Sequence, residues 1–210
     1  MLTATFRTTV LSLLFIFFNL LSFAQPGNDN CASAQLLTSY TTDNFTNGTV
    51  LNSTNSGIAA NTCGGTPDDD VWYYFIAQSN NTTINLSNIQ NGGPASLAKN
   101  DAVLEIFESN GDCSSLNFIS CTSVNNATNI SIVSTSLIIS KRYYVRVFSK
   151  SNSFPSSNAG FQISVKHIAP PPPPSNDECA GATTITSNTT CTNTSSTLIS
   201  STKSFSTVTG

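Results

Sequence analysis

The chain has 210 residues, room for one or two domains, with eight basic and eleven acidic residues, one His and six Cys. Only 9% of its residues are charged. An acidic, charge-poor chain excludes a basic nucleic-acid interface and an electrostatic hold on anionic membranes. Solubility rests on Asn, Ser and Thr, which suit turns and exposed strand faces.

The first 24 residues read as a secretory signal peptide. Arg7 gives a positive start, residues 10–23 are apolar except for Ser12, Asn19 and Ser22, and Ser22-Phe23-Ala24 is a small-x-small cleavage signal before Gln25. A membrane anchor needs roughly 20 apolar residues, more than this run offers. No second run of spanning length follows, so the mature chain is expected to be secreted or displayed at the cell surface, with no transmembrane segment. Loss of Arg7 leaves seven basic against eleven acidic residues, a net charge of −4.

Residues 25–168 carry the pattern of one β-sandwich module. Asn28 or Asp29 is placed to cap a helical turn at Cys31-Ala32. Short strands are expected at 36–39 and 46–51, then a loop rich in Asn, Ser and Gly at 52–67 that contains Cys63. Asp68-Asp69-Asp70-Val71-Trp72-Tyr73-Tyr74-Phe75 follows. Its three acids precede an unbroken run of β-branched and aromatic residues, the mark of a strand buried on both faces. Val71, Tyr73 and Phe75 face one way, and Trp72, Tyr74 and Ile76 the other.

Residues 82–87 alternate cleanly, with Ile84 and Leu86 in and Thr83, Asn85 and Ser87 out. Asn91-Gly92-Gly93-Pro94 breaks the chain. Further strands are expected at 102–108, 117–122, 129–133, 142–148 and 161–166. In the last, Phe161, Ile163 and Val165 oppose Gln162, Ser164 and Lys166. About nine short strands with turn signals between them and no amphipathic helix define an all-β, two-layer antiparallel sandwich with jelly-roll-like connections. Its core is expected to contain Trp72, Tyr74, Phe75, Leu104, Ile106, Tyr144, Val145 and Val147.

Residues 169–175 form a polyproline linker. Five successive prolines make a stiff spacer of about 3 Å per residue; the alternative, a Pro-rich recognition motif, fits less well between two similar openings. Asn28-Asp29-Asn30-Cys31-Ala32-Ser33-Ala34 recurs as Asn176-Asp177-Glu178-Cys179-Ala180-Gly181-Ala182. On the same register Leu37 matches Ile185, and Val50-Leu51 matches Leu198-Ile199. Residues 176–210 are thus expected to be the N-terminal fragment of a second, truncated repeat.

All six Cys follow the signal segment, and disulfides are expected in an oxidising compartment. A zinc site is disfavoured by the lack of any C-x-x-C pair and by the distance of His167 from every Cys. Cys113 and Cys121 lie either side of a short segment and are expected to close a local hairpin bridge. Cys31 and Cys63 are expected to tie the opening turn to the loop before the aromatic strand. Cys179 and Cys191 are left to pair with each other or to stay free.

The elements quoted so far, with Asp101-Ala102-Val103-Leu104-x-Ile106-Phe107, Gly111-Asp112-Cys113 through Cys121, and Tyr143-Tyr144-Val145-Arg146-Val147, resemble a family of bacterial β-sandwich modules. They are similar to the pre-peptidase C-terminal domains and related repeats of large secreted or surface proteins, including adhesins exported by the type IX route. The resemblance implies a jelly-roll-like sandwich, export, and an accessory or adhesive role. The glycine usual before the paired tyrosines is replaced around Ser140-Lys141.

Catalytic sets are sparse. The sequence has no G-x-S-x-G, H-E-x-x-H or phosphate-binding Gly-Lys loop, and one His does not supply a serine hydrolase with its full set. Asp70, Asp101, Glu105 and Glu108 offer carboxylates for glycosidase chemistry, but acids at strand ends more often serve solvation. Asp68, Asp70 and Asp101 are candidate calcium ligands. Without a D-x-D-x-D-G loop they read better as acids that cap loop backbone, and no cofactor is expected. Asn-x-Ser/Thr triplets at Asn44, Asn47, Asn52 and Asn81 read as polar surface rather than glycan sites. The expected function is a non-catalytic extracellular binding or adhesion module for carbohydrate or protein. The alternative is an accessory domain of a secreted protease or other hydrolase whose catalytic domain lies elsewhere.

Overall fold

A computed structural model describes residues 24–90, 101–150 and 159–202. The expected signal segment, as far as Phe23, and the expected break at Asn91-Gly92-Gly93-Pro94 lie outside the described residues. The chain divides into two units, Met1–His167 and Ile168–Gly210.

The first unit is a two-layer sandwich of nine strands: β1 Gln35–Leu36, β2 Thr46–Thr49, β3 Val71–Ile76, β4 Thr82–Ser87, β5 Ala102–Ser109, β6 Leu116–Val124, β7 Ile130–Ser134, β8 Arg142–Phe148 and β9 Gly160–His167. One sheet has the order β1-β3-β8-β5-β6 and the other β2-β9-β4-β7. Apart from the short parallel pair β1–β3, neighbours run antiparallel. Val71, Tyr73, Phe75, Leu104, Ile106, Val145 and Val147 from the first sheet meet Ile84, Leu86, Phe161, Ile163 and Val165 from the second. The period-2 alternation of each strand, visible in the sequence, delivers this apolar layer.

The five-stranded sheet is buried on its outer side as well. Trp72 is fully buried, but outside the inter-sheet core: it packs with Cys31, Phe107 and Tyr144 in a second cluster. The sheet registers line up Trp72, Arg146, Glu105 and Cys121 in one row, and Tyr74, Tyr144, Phe107 and Phe118 in the next. Residues 53–65 cross the first row. Tyr74, expected in the core, is only half-buried, because it stands near the end of the second row where Arg142 lies over its ring at 4.6 Å.

The disulfides correct the expected pairing. Neither Cys31–Cys63 nor Cys113–Cys121 forms; the bridges are Cys31–Cys113 and Cys63–Cys121. Cys113 sits in the β5–β6 turn, whereas Cys121 lies five residues into β6, opposite Glu105. At about 3.3 Å per residue those five residues alone carry Cys121 roughly 17 Å down the strand. A disulfide needs Cα atoms within about 7 Å. Instead Cys31 of the opening turn bonds Cys113, and Cys63 of residues 53–65 bonds Cys121, with Cα atoms 5.9 Å apart in both pairs.

The opening turn differs in detail too. Cys31–Ser33 is a single 3₁₀ turn whose N-cap, Asn30, makes no side-chain cap. Asn28 and Asp29 are engaged elsewhere. Asn28 exchanges bonds with Trp72, giving from Nδ2 to its carbonyl and accepting from its N–H. Asp29 accepts from the N–H and the hydroxyl of Thr54. Ser140 holds φ at 68°, so the turn keeps the left-handed conformation that glycine favours although serine occupies it.

In the second unit the described residues contain one 3₁₀ turn, Cys179–Gly181, and Cys179 and Cys191 are free and exposed.

Candidate functional site

The outer face of the four-stranded sheet is polar throughout its centre. Strand alternation sends Thr83, Asn85 and Ser87 of β4, and Gln162, Ser164 and Lys166 of β9, away from the core. Residues 40–45 run beside this face, anchored where Tyr40 bridges Lys166. Asp43 reaches from this segment onto the sheet. Its Oδ1 accepts from Asn85 Nδ2 at 2.5 Å and from Ser164 Oγ at 2.8 Å, and its Oδ2 accepts from Lys166 Nζ at 3.1 Å. Burial pushes the Asp43 carboxyl up, but the bonds from Ser164, Lys166 and Asn85 together outweigh it and hold the group below its usual value.

Beside this network is an open groove of about 330 Å³ lined by Asp43, Phe45, Asn85, Leu86, Ser87, Asn129, Ile130, Ser131 and Lys166. One wall is Asp43 and Phe45; the other is the start of β7, where Ser131 pairs with Asn85 across the sheet. Phe45 is 41% exposed and Tyr40 43%. A fixed carboxylate, amides, hydroxyls and an ammonium beside an aromatic ring form a hydrogen-bonding surface with an apolar platform. At the β2 side, Asn88 and Gln162 continue the polar face by a side-chain bond of 2.5 Å, and Gln162 gives to Asn47 at 3.2 Å.

None of Asp43, Phe45 or Ser131 was singled out by sequence. Alternation places Asn85 and Lys166 on the outward face, as the structure shows, but alternation does not distinguish a site from a solvated face. The missing signal is tertiary: the bend that lays residues 40–45 against β4 and β9.

The candidate calcium ligands are placed differently. Asp70 is fully buried under residues 53–65, where it accepts from the N–H and hydroxyl of Ser56 and pairs with Arg146 at 3.4 Å. Asp69, next to it, accepts from the Ser149 N–H at 2.9 Å. Burial, with the charges of Asp68 and Asp101 adding to it, pushes Asp69 up to about 7 against the opposing Ser149 bonds. Among the described residues, no group of three or more His, Cys, Asp or Glu is arranged to hold a metal ion.

The glycosidase candidates are committed to structure. Glu105 is fully buried and accepts from Arg146 Nε at 2.7 Å and from the Asn61 N–H at 3.0 Å; Glu108 pairs with Lys141. His167 bonds through Nδ1 to Ser39 Oγ at 2.9 Å. The pair fastens the end of β9 to residue 39.

No family model and no curated protein matches the chain. A solved structure that aligns with it is that of CorA, described as a surface-associated copper-binding protein important in Methylomicrobium album BG8 copper acquisition. The two are 9% identical, the alignment covers 66% of this chain and 99% of that one, and the TM-score is 0.42. A likeness of that degree carries no argument about function. Among the described residues no helix is long and apolar enough to cross a membrane.

Proposed function

We propose that the first unit is a non-catalytic binding module of an exported bacterial surface or secreted protein, of the pre-peptidase C-terminal type, and that it binds carbohydrate in the Asp43–Phe45 groove. The carrying observation is the groove itself. A sugar ring offers an apolar face and a rim of hydroxyls. Phe45 supplies a surface for the first, and Asn85, Ser87, Ser131 and the Asp43–Lys166 pair supply partners for the second. Asp43 is held by three donors before any ligand arrives, so binding needs little ordering of that group. The signal segment and the two disulfides fit an oxidising, extracellular setting.

The test is a glycan array followed by calorimetry on the best soluble glycan, comparing the parent with Phe45→Ala and Asn85→Ala. Both side chains lie on the surface, so the variants keep the parent's melting temperature within a few degrees. Each is expected to weaken binding at least tenfold. Absence of any glycan ligand, or an affinity indifferent to both changes, would overturn the reading in favour of a protein ligand at another face.

A further inference from the structure

The two openings of the chain share more than sequence. In the first, Asp29 N–H gives to Pro26, Ala34 N–H to Cys31, and the N–H and hydroxyl of Ser53 to Val50. In the second, 148 residues on, Asp177 N–H gives to Pro174, Ala182 N–H to Cys179, and the N–H and hydroxyl of Ser201 to Leu198. Thr54 clasps Asp29 through N–H and hydroxyl, and Thr202 clasps Asp177 in the same way. Asn52 and Ser200 take matching left-handed φ values of 62° and 60°.

The burial of the two segments is opposite. Leu37 and Val50 are 3% and 7% exposed; their counterparts Ile185 and Leu198 are 77% and 85% exposed. Cys31 is buried and bonded to Cys113, whereas Cys179 is exposed and free. The second segment therefore shares the turns at both ends of the first, and carries the apolar residues and the thiol that occupy the first segment's seat on the sandwich.

Gly48 is the position where the counterpart residue meets a steric limit. In β2, Gly48 lies opposite Phe161. A Cβ built on Gly48 would collide with the Tyr73 hydroxyl and would come within 2.6 Å of two Phe161 ring atoms, closer than real Cβ atoms come. Tyr73 and Phe161 are both buried and packed edge to face, with ring centroids 6.2 Å apart, so neither can move aside without opening the core. The residue that corresponds to Gly48 in the second segment is Ser196. We propose that the Gly48/Ser196 difference makes the two duplicated openings non-interchangeable: residues 28–54 are admitted by Tyr73 and Phe161, and residues 176–202 are excluded. Such discrimination suppresses swapping between segments that share the same opening.

A disulfide reports the occupant of the seat. With Cys31→Ser and Cys191→Ser in the otherwise intact chain, Cys113 is open to Cys179. Oxidation in a glutathione buffer followed by peptide mapping then measures the Cys113–Cys179 link, whether it forms within a chain or between two. The link is expected to be minor in this background. It should rise at least threefold on adding Ser196→Gly, and become the main species when Gly48→Ser is added as well. Ser196 is not part of the sandwich, so Ser196→Gly alone decides the matter even if Gly48→Ser unfolds the first unit. An unchanged yield in the Ser196→Gly chain, or a link already predominant before it, overturns the proposal.

Discussion

Arg146 determines how the outer side of the five-stranded sheet is closed. It is fully buried, pairs with Glu105 and Asp70, and gives bonds to the carbonyls of Ile58 and Ala59 at 2.6 and 2.8 Å. Its guanidinium also lies 5.1–5.5 Å from the ring centroids of Trp72, Phe107 and Phe148. A buried ion pair adds little net stability when intact, but removal of one partner leaves uncompensated charge and costs about 3–5 kcal/mol. Arg146→Met should lower the urea midpoint accordingly, and a loss below about 1 kcal/mol would show that the covering segment is held by other contacts. Trp72→Ala in the same layer is expected to cost about 3–5 kcal/mol, as truncation of a large buried ring does; a melting curve like the parent's would contradict its place in the cluster. Asp69 sets the pH response. Its folded value of about 7 exceeds the ordinary 3.8, so the folded state binds the proton more tightly than the unfolded chain. The cost of its charge is fully present above pH 7 and is relieved as pH falls toward 4. Asp70 is raised in the same direction, by burial. Asp43 and Asp112 are lowered, so their contribution is lost only below pH 4. Asp69→Asn should therefore raise the melting temperature at pH 8, and the gain should shrink at pH 5. An equal effect at both pH values would mean that the Asp69 proton is not the cause.

At the scale of elements, two disulfides tie outer segments to the β5–β6 hairpin: Cys31 of the opening turn bonds Cys113 in the hairpin turn, and Cys63 of residues 53–65 bonds Cys121 within β6. The Cys31–Cys113 and Cys63–Cys121 loops span 82 and 58 residues, and the chain-entropy model gives such closures about 4 kcal/mol each, with measured values often lower. Replacing Cys63 and Cys121 together by Ala should lower stability by up to that amount. Limited proteolysis should then cut first within residues 53–65, and cleavage elsewhere would argue against their role as a lid on Arg146. The turn before β8 offers the reverse effect. Ser140 holds a left-handed φ, and Ser140→Gly should stabilise by about 1 kcal/mol by removing that strain. Most strands were legible from alternation: β4 and β8 have the boundaries expected from the pattern, and the others differ by a few residues. The disulfide pairing was not legible. Short spacing along the chain suggests proximity, but an extended strand turns each intervening residue into distance.

For the molecule as a whole, the contrast lies between a sandwich with a continuous core and a second unit whose apolar residues face solvent. The second unit is held locally by the Asp177–Thr202 clasp and one 3₁₀ turn. Amides of residues 183–197 are expected to exchange at close to unprotected rates while β5 and β8 are strongly protected; protection of both would show that the second unit has found a core. What the sequence by itself determined is what short-range patterning controls. Period-2 alternation defines which face of each strand is apolar, the two-faced run at residues 71–76 demands a cover on both sides, and the opening motif at residue 28 recurs at residue 176. Only the tertiary structure decided which segment provides that outer cover, which cysteines meet beneath it, and which outward polar residues face one another. Those outcomes depend on how loops 41–45 and 53–65 cross the sheets. Loop paths are set by the few long-range contacts they make, such as Asp43 with Ser164 and Arg146 with Ile58, and not by a period in the chain.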